Sequence, residues 1–156
     1  MRVTLAAVGR TKAGPARDLY EDYAGRLSRG PIGPLILKEV EARGTLPPAE
    51  GRRREAELLR AAVPAGARLI ALDERGQSLR SAEFAALLGR WRDAGTAEVA
   101  CIIGGAEGLD EALRAEAALV LSLGPMTWPH LLVRALLAEQ LFRASSILTG
   151  HPYHRE

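Results

Sequence analysis

The chain has no asparagine and a single cysteine, Cys101, among its 156 residues. One thiol cannot build a disulfide framework or a cysteine-based zinc site, and it fits a reducing compartment. The expected localisation is cytoplasmic, and no metal is expected. Lysine is nearly as scarce: it occurs only at Lys12 and Lys38, so nineteen of the 21 basic residues are arginine. An arginine-rich, asparagine-free composition reflects a GC-rich genome or thermal adaptation. Arginine is also the better partner for phosphates and base edges, so the composition permits RNA binding without establishing it. A large excess of one charge is missing too, since the formal net charge is only +2, little for a nucleic-acid-binding surface. No hydrophobic run approaches the length of a membrane span, and Met1–Val8 is too short for the apolar part of a signal peptide.

What is present is an ordinary globular balance, 47% hydrophobic and 26% charged. Such a chain buries a core without covalent staples, and its length suits one domain over residues 1–156. Apolar runs alternate with helical spacing from end to end. Strands are expected at Val3–Val8, Leu35–Val40, Arg68–Leu72, Val99–Ile103 and Leu119–Leu123. Helices are expected at Ala16–Leu27, Ala49–Ala62, Ser81–Arg92 with Ser81 as N-cap, Glu111–Ala117 and His130–Ile147. The alternation predicts an α/β fold, a mostly parallel sheet flanked by helices on both faces. Ligands of such sheets sit beyond the carboxyl ends of the strands, which here means the loops Leu72–Gly76, Gly104–Gly108 and Gly124–Pro129.

Two of these loops have the composition of a binding site. Ile103-Gly104-Gly105-Ala106-Glu107-Gly108 places glycines directly after a strand, where the backbone turns sharply and approaches a ligand closely. The spacing is neither the dinucleotide fingerprint nor the Walker sequence. Gly124-Pro125-Met126-Thr127-Trp128-Pro129-His130 is a stiff apolar loop suited to wall a flat heterocycle. Read apart, each is also an ordinary strand-to-helix connection. The last helix is apolar nearly all round, interrupted by Arg134, Glu139, Gln140 and Arg143. That exceeds the single stripe of a sheet-flanking helix, and it points to a homodimer or to burial between the sheet and a neighbouring helix. The tail His151-Pro152-Tyr153-His154-Arg155-Glu156 combines an aromatic, a proton acceptor and a cation, which suits an RNA base that must be held and deprotonated. Arg52-Arg53-Arg54, beside Glu50, Glu55 and Glu57, reads as a solvated helix face.

Together, Val3–Gly9, Ile103–Gly108, Met126–His130 with Arg134, and the ending Tyr153-His154-Arg155 resemble the bacterial ribosomal RNA large subunit methyltransferase H family, of the SPOUT class. The resemblance spans the whole chain in order. Ala106 departs from the family's frequent proline, Trp128 from its smaller apolar residues and Gly150 from a polar residue, all beside the motif cores. The resemblance implies a C-terminal deep trefoil knot, a homodimer, and S-adenosylmethionine as methyl donor. It implies methylation of N3 of a pseudouridine in a 23S rRNA hairpin on the assembled 70S ribosome. Carried over by motif, the cofactor site comprises Leu72, Gly105, Gly124, Pro125, Met126, Thr127, Trp128 and Pro129. His130, Arg134, Glu139, Arg143, Tyr153, His154 and Arg155 fall to the RNA and catalytic side. A related enzyme with another RNA target, a nucleotide-binding oxidoreductase and a non-catalytic ribosome-binding factor remain the alternatives.

Overall fold

Alternation along the strands decides which face each side chain joins. The computed structural model describes residues 1–154. In β1 (Arg2–Val8), Val3, Leu5 and Ala7 point to one face of the sheet and Ala6 to the other, all fully buried. With β2 (Leu35–Val40), β3 (Arg68–Ser78), β4 (Glu98–Ile103) and β5 (Leu119–Ser122) it forms a parallel sheet of five strands in the order β2-β1-β4-β3-β5. Strands buried on both faces read as continuous apolar runs, and Val99–Ile103 is one.

The chain steps from β1 out to β2, back across to β3, inward to β4, and over β3 to β5. Each reversal of direction sends the next crossover helix to the opposite face under the right-handed rule. Accordingly α1 (Pro15–Arg26) and α3 (Ser81–Asp93) cover one face, where α5 (His130–Thr149), which follows the last strand, joins them. The other is covered by α2 (Pro48–Ala62) and α4 (Glu111–Ala115). The expected helices on both faces of a parallel sheet are therefore present. Among the described residues, no helix is long and apolar enough to cross a membrane.

Beyond small shifts at element ends, such as α5 running on to Thr149, three departures from the expected elements matter. The strand expected to stop at Leu72 resumes after a break: Leu72 and Gln77 both register with Leu121, so residues 73–76 bulge out and Gln77–Ser78 rejoin the sheet. Polar Gln77 and Ser78 carry no apolar signal, which hides that return from the sequence. At the start of α3 the cap position is Arg80. Its backbone N–H donates to Glu83 Oε2 at 2.8 Å, while Ser81 donates its hydroxyl to Gln140 Oε1 at 2.8 Å and ties α3 to α5. Finally, α4 ends at Ala115, two residues early, its start capped by Asp110.

The apolar circumference of α5 is largely used within the chain. It lies between α1 and α3 against the sheet, with Ala135, Leu137, Ala138, Leu141 and Ala144 fully buried. Leu131, Leu132, Leu136 and Phe142 stay partly uncovered.

Candidate functional site

The carboxyl ends of β3, β4 and β5 lie side by side, and the three loops leaving them enclose a cleft of ≈ 510 Å³. Leu72, Gly104, Gly105, Gly124, Thr127, Trp128, His130 and Val133 are among its walls. A hollow of ≈ 730 Å³ lies near α2, bordered by Glu41, Arg43, Glu50, Arg53 and Arg54. It mixes both charges and has no glycine turn, so the cleft is the better site.

The glycine turn is tight because it has to be. A Cβ on Gly104 would stand 2.8 Å from the backbone of Gly108, and the Gly108 N–H donates to the Gly105 carbonyl at 3.0 Å. Opposite, the loop after β5 is pinned at its root: Gly124 N–H donates to Ser122 Oγ at 3.2 Å, and Trp128 Nε1–H donates to the Leu123 carbonyl at 3.3 Å. The indole is thereby held at the mouth. Met126 is 71% exposed and Trp128 38% exposed, large apolar groups left in water beside the cleft. On the rim, Asp73 accepts hydrogen bonds from Arg75 (3.0 Å) and Arg114 (3.3 Å). Arg75, above all, holds its carboxyl down at about 2, so this rim is a fixed ion cluster. Sequence reasoning overlooked Asp73, since a charged residue after a strand carries no distinguishing signal.

The tail builds a second cluster. Tyr153 donates its hydroxyl to Glu139 Oε1 at 2.9 Å and lies 2.9 Å from the hydroxyl of Tyr23. Arg143 Nε also donates to Glu139 Oε1, at 3.0 Å, and the Arg143 guanidinium covers the Tyr153 ring at 4.9 Å. Phe142 meets Tyr153 edge-on at 4.8 Å. Burial, then hydrogen bonding to Tyr23 and Glu139, pushes the Tyr153 phenol well above its ordinary range. Tyr153 is therefore a neutral donor. Arg143 Nη1 lies 3.4 Å from His154 Nδ1, and His154 Nε2 is buried with no partner among the described residues. Arginine has only donors, so this contact is favourable when Nδ1 accepts and the ring proton sits on Nε2.

Of the residues expected at the cofactor site, Leu72, Gly105, Gly124, Thr127 and Trp128 line the cleft, together with His130 from the RNA group. Pro125, Met126 and Pro129 belong to the same loop without lining it. Glu139, Arg143, Tyr153 and His154 come together at the tail, and Arg155 lies outside the described residues. Arg134 stands apart: it is 2% exposed, and its guanidinium donates to the carbonyls of Val8 and Gly9, to Thr11 Oγ1 and to Glu39 Oε1. Expected on the RNA and catalytic side, Arg134 here holds four acceptors under α5 and offers almost no surface. Tyr23 was missed, as one more apolar position of α1.

Residues 1–154 match the family described as predicted SPOUT methyltransferase. The ribosomal RNA large subunit methyltransferase H of Rhodospirillum centenum is 61% identical over 155 residues, covering 99% of both chains. The protein of the same name from Paramagnetospirillum magneticum is 56% identical, again over 99% of both. Among solved structures, a probable methylase family protein of Haemophilus influenzae superposes with a TM-score of 0.56 at 10% identity. That match covers 99% of this chain and 70% of the other, and is a likeness of fold.

Proposed function

As a member of the ribosomal RNA large subunit methyltransferase H family of SPOUT methyltransferases, the chain is a methyltransferase of large-subunit ribosomal RNA, and we propose its finer chemistry: transfer from S-adenosylmethionine to N3 of a pseudouridine in a 23S rRNA hairpin on the assembled 70S ribosome. The observation that carries this reading is the cleft beyond β3, β4 and β5. Its glycine turn has no room for a side chain at Gly104 or Gly105, so it meets the cleft as bare backbone, and its apolar wall suits the nucleoside part of a sulfonium cofactor. Leu72, Gly105, Gly124, Thr127 and Trp128 would hold it. Family membership also supports a deep trefoil knot in the C-terminal part, an exception to ordinary topology.

S-adenosylmethionine supplies a methyl group already electrophilic on its sulfonium, which leaves alignment and charge handling to the protein. Tyr153, fixed by Glu139 and Tyr23, orients the target base. His154 presents Nε2–H to an imide oxygen as N3 gives its proton to water, so the ring stabilises the developing anion. Glu139 is an organiser here, since its Oε1 already takes Tyr153 and Arg143 and its Oε2 takes Gln140. The modest charge of +2 favours dependence on the shape of the ribosome over attraction to free RNA. The test is transfer of labelled methyl to 70S ribosomes from a strain lacking this protein. Label in N3-methylpseudouridine is the expected result; label in another nucleotide, or none, overturns the assignment.

The positions of the two clusters support a homodimer. His130 opens α5 at the cleft, whereas Glu139 and Arg143 lie nine and thirteen residues further along, about 14 and about 20 Å at helical rise. One base cannot touch both within a chain. We propose that the tail of one protomer closes the cleft of its partner, with exposed Met126 and Trp128 in the interface. Met126→Glu is expected to yield monomers in sedimentation and to lose methyl transfer; an intact dimer would place the interface elsewhere.

A further inference from the structure

Glu55 lies in a charged stretch of α2 that the sequence assigns to solvent, yet it is half-buried against the glycine turn. A Cβ built on Gly105 would come 2.7 Å from Glu55 Oε1 and 2.9 Å from Oε2. The carboxylate thus fills the space where residue 105 would carry a side chain. Buried Ala56 and Leu59 fix the neighbouring face of α2 on the sheet, which delivers residue 55 to this position. Its neighbours Arg54 and Glu57 pair with each other at 2.6 Å, and Glu55 has no arginine partner among the described residues. Burial pushes its carboxyl above the ordinary range, while the Gly105 N–H and His130 pull it back and Glu107 adds to the rise.

A turn with three glycines in five residues has no side chains by which to anchor itself, and such a segment has the most conformational freedom to lose. An outside group has to hold it if it is to meet a ligand ready-shaped. We propose that Glu55 is a positioning residue of the cofactor site, its carboxylate seating the Gly104–Gly108 turn against α2 and thereby setting the backbone that meets S-adenosylmethionine. The proposal rests on the methyltransferase reading above.

The experiment is titration calorimetry of S-adenosylmethionine with wild type, Glu55→Ala, Gly105→Ala and the double variant. A methyl at residue 105 would displace the carboxylate, so each single change loses the same interaction, about 10-fold in Kd. The double variant is expected at about the same 10-fold, because coupled residues are not additive. Glu55→Gln, which keeps a carbonyl acceptor of equal size, is expected within about 3-fold of wild type. In turnover, KM for S-adenosylmethionine rises while kcat at saturation stays. Losses that multiply to about 100-fold, or Glu55→Ala binding like wild type, overturn the proposal. If the wild type itself binds no S-adenosylmethionine, the cofactor reading fails instead. The melting temperatures of the same four chains then decide the contact: non-additive shifts keep it, and additive shifts remove it.

Discussion

Replacing His154 by alanine is expected to lower kcat for ribosome methylation by about 10²–10³-fold, the cost of removing one donor aimed at developing negative charge. Affinity for S-adenosylmethionine should stay within about 3-fold, because the loss belongs to the transition state. The reason is positional. His154 Nε2 is buried and unpartnered among the described residues, while its other nitrogen faces Arg143. A buried donor left without a partner is costly unless something arrives to meet it, and a base imide offers two carbonyl oxygens. Tyr153→Phe removes the hydroxyl that reaches Glu139 and Tyr23 but keeps the ring under Arg143, so a smaller loss is expected, about 10-fold. Mixed dimers decide whether the tail acts on its own cleft. His154→Ala chains mixed with chains whose turn is blocked by Gly104→Val would recover about a quarter of wild-type activity, since half the dimers are mixed and each has one whole site. No recovery would place the tail and the cleft of one chain together. Equal loss of cofactor affinity and rate in His154→Ala would assign the tail to the cofactor pocket.

Most of the fold could be read from residue periodicity, and the misses have physical causes. Val99–Ile103 and Val3–Val8 are buried on both faces, so their apolar runs leave little room for another reading. The return of β3 at Gln77–Ser78 was invisible because pairing there uses backbone groups and polar side chains. At the site, the glycine turn and the loop Gly124–Pro129 announced themselves by composition, because close backbone approach and stiffness need those residue types. Long-range pairings gave no such sign. Glu55 and Arg54 are adjacent charges of one helix, yet one reaches the turn and the other pairs with Glu57 in solvent. Tyr23 looks like any other α1 residue until α5 and the tail fold over it. Arg134 was legible as part of a motif, but its structural task shows only in its surroundings.

That task leads to the largest expected change in stability. Arg134→Ala should cost about 3–5 kcal/mol, since a buried guanidinium gives up several charge-assisted hydrogen bonds worth about 1.5–3 kcal/mol each. In a chain of this size that lowers Tm by roughly 6–20 °C. The guanidinium links the carboxyl ends of β1 and β2 to α5: it donates at 2.9 Å to the Val8 and Gly9 carbonyls, where β1 ends, and at 2.7 Å to Thr11 and Glu39. Without it the Val8 and Gly9 carbonyls lose a donor, Glu39 keeps only Thr11, and a cavity opens beneath α5. Arg134→Lys is expected to recover only part, since an ammonium cannot reproduce a planar fork spanning several acceptors. Acid should reveal the same contact. Burial pushes the Glu39 carboxyl up, but hydrogen bonds from Thr11 and Arg134 outweigh it, and its pKa lies below the ordinary value. A depressed pKa contributes stability above the unfolded-state value near 4.3 that disappears as pH falls through the folded one. Wild type should therefore lose stability below about pH 4 more steeply than Arg134→Ala, in which Glu39 has already lost that donor. Matching melting curves for the two proteins, with methyl transfer alone abolished, would return Arg134 to the RNA.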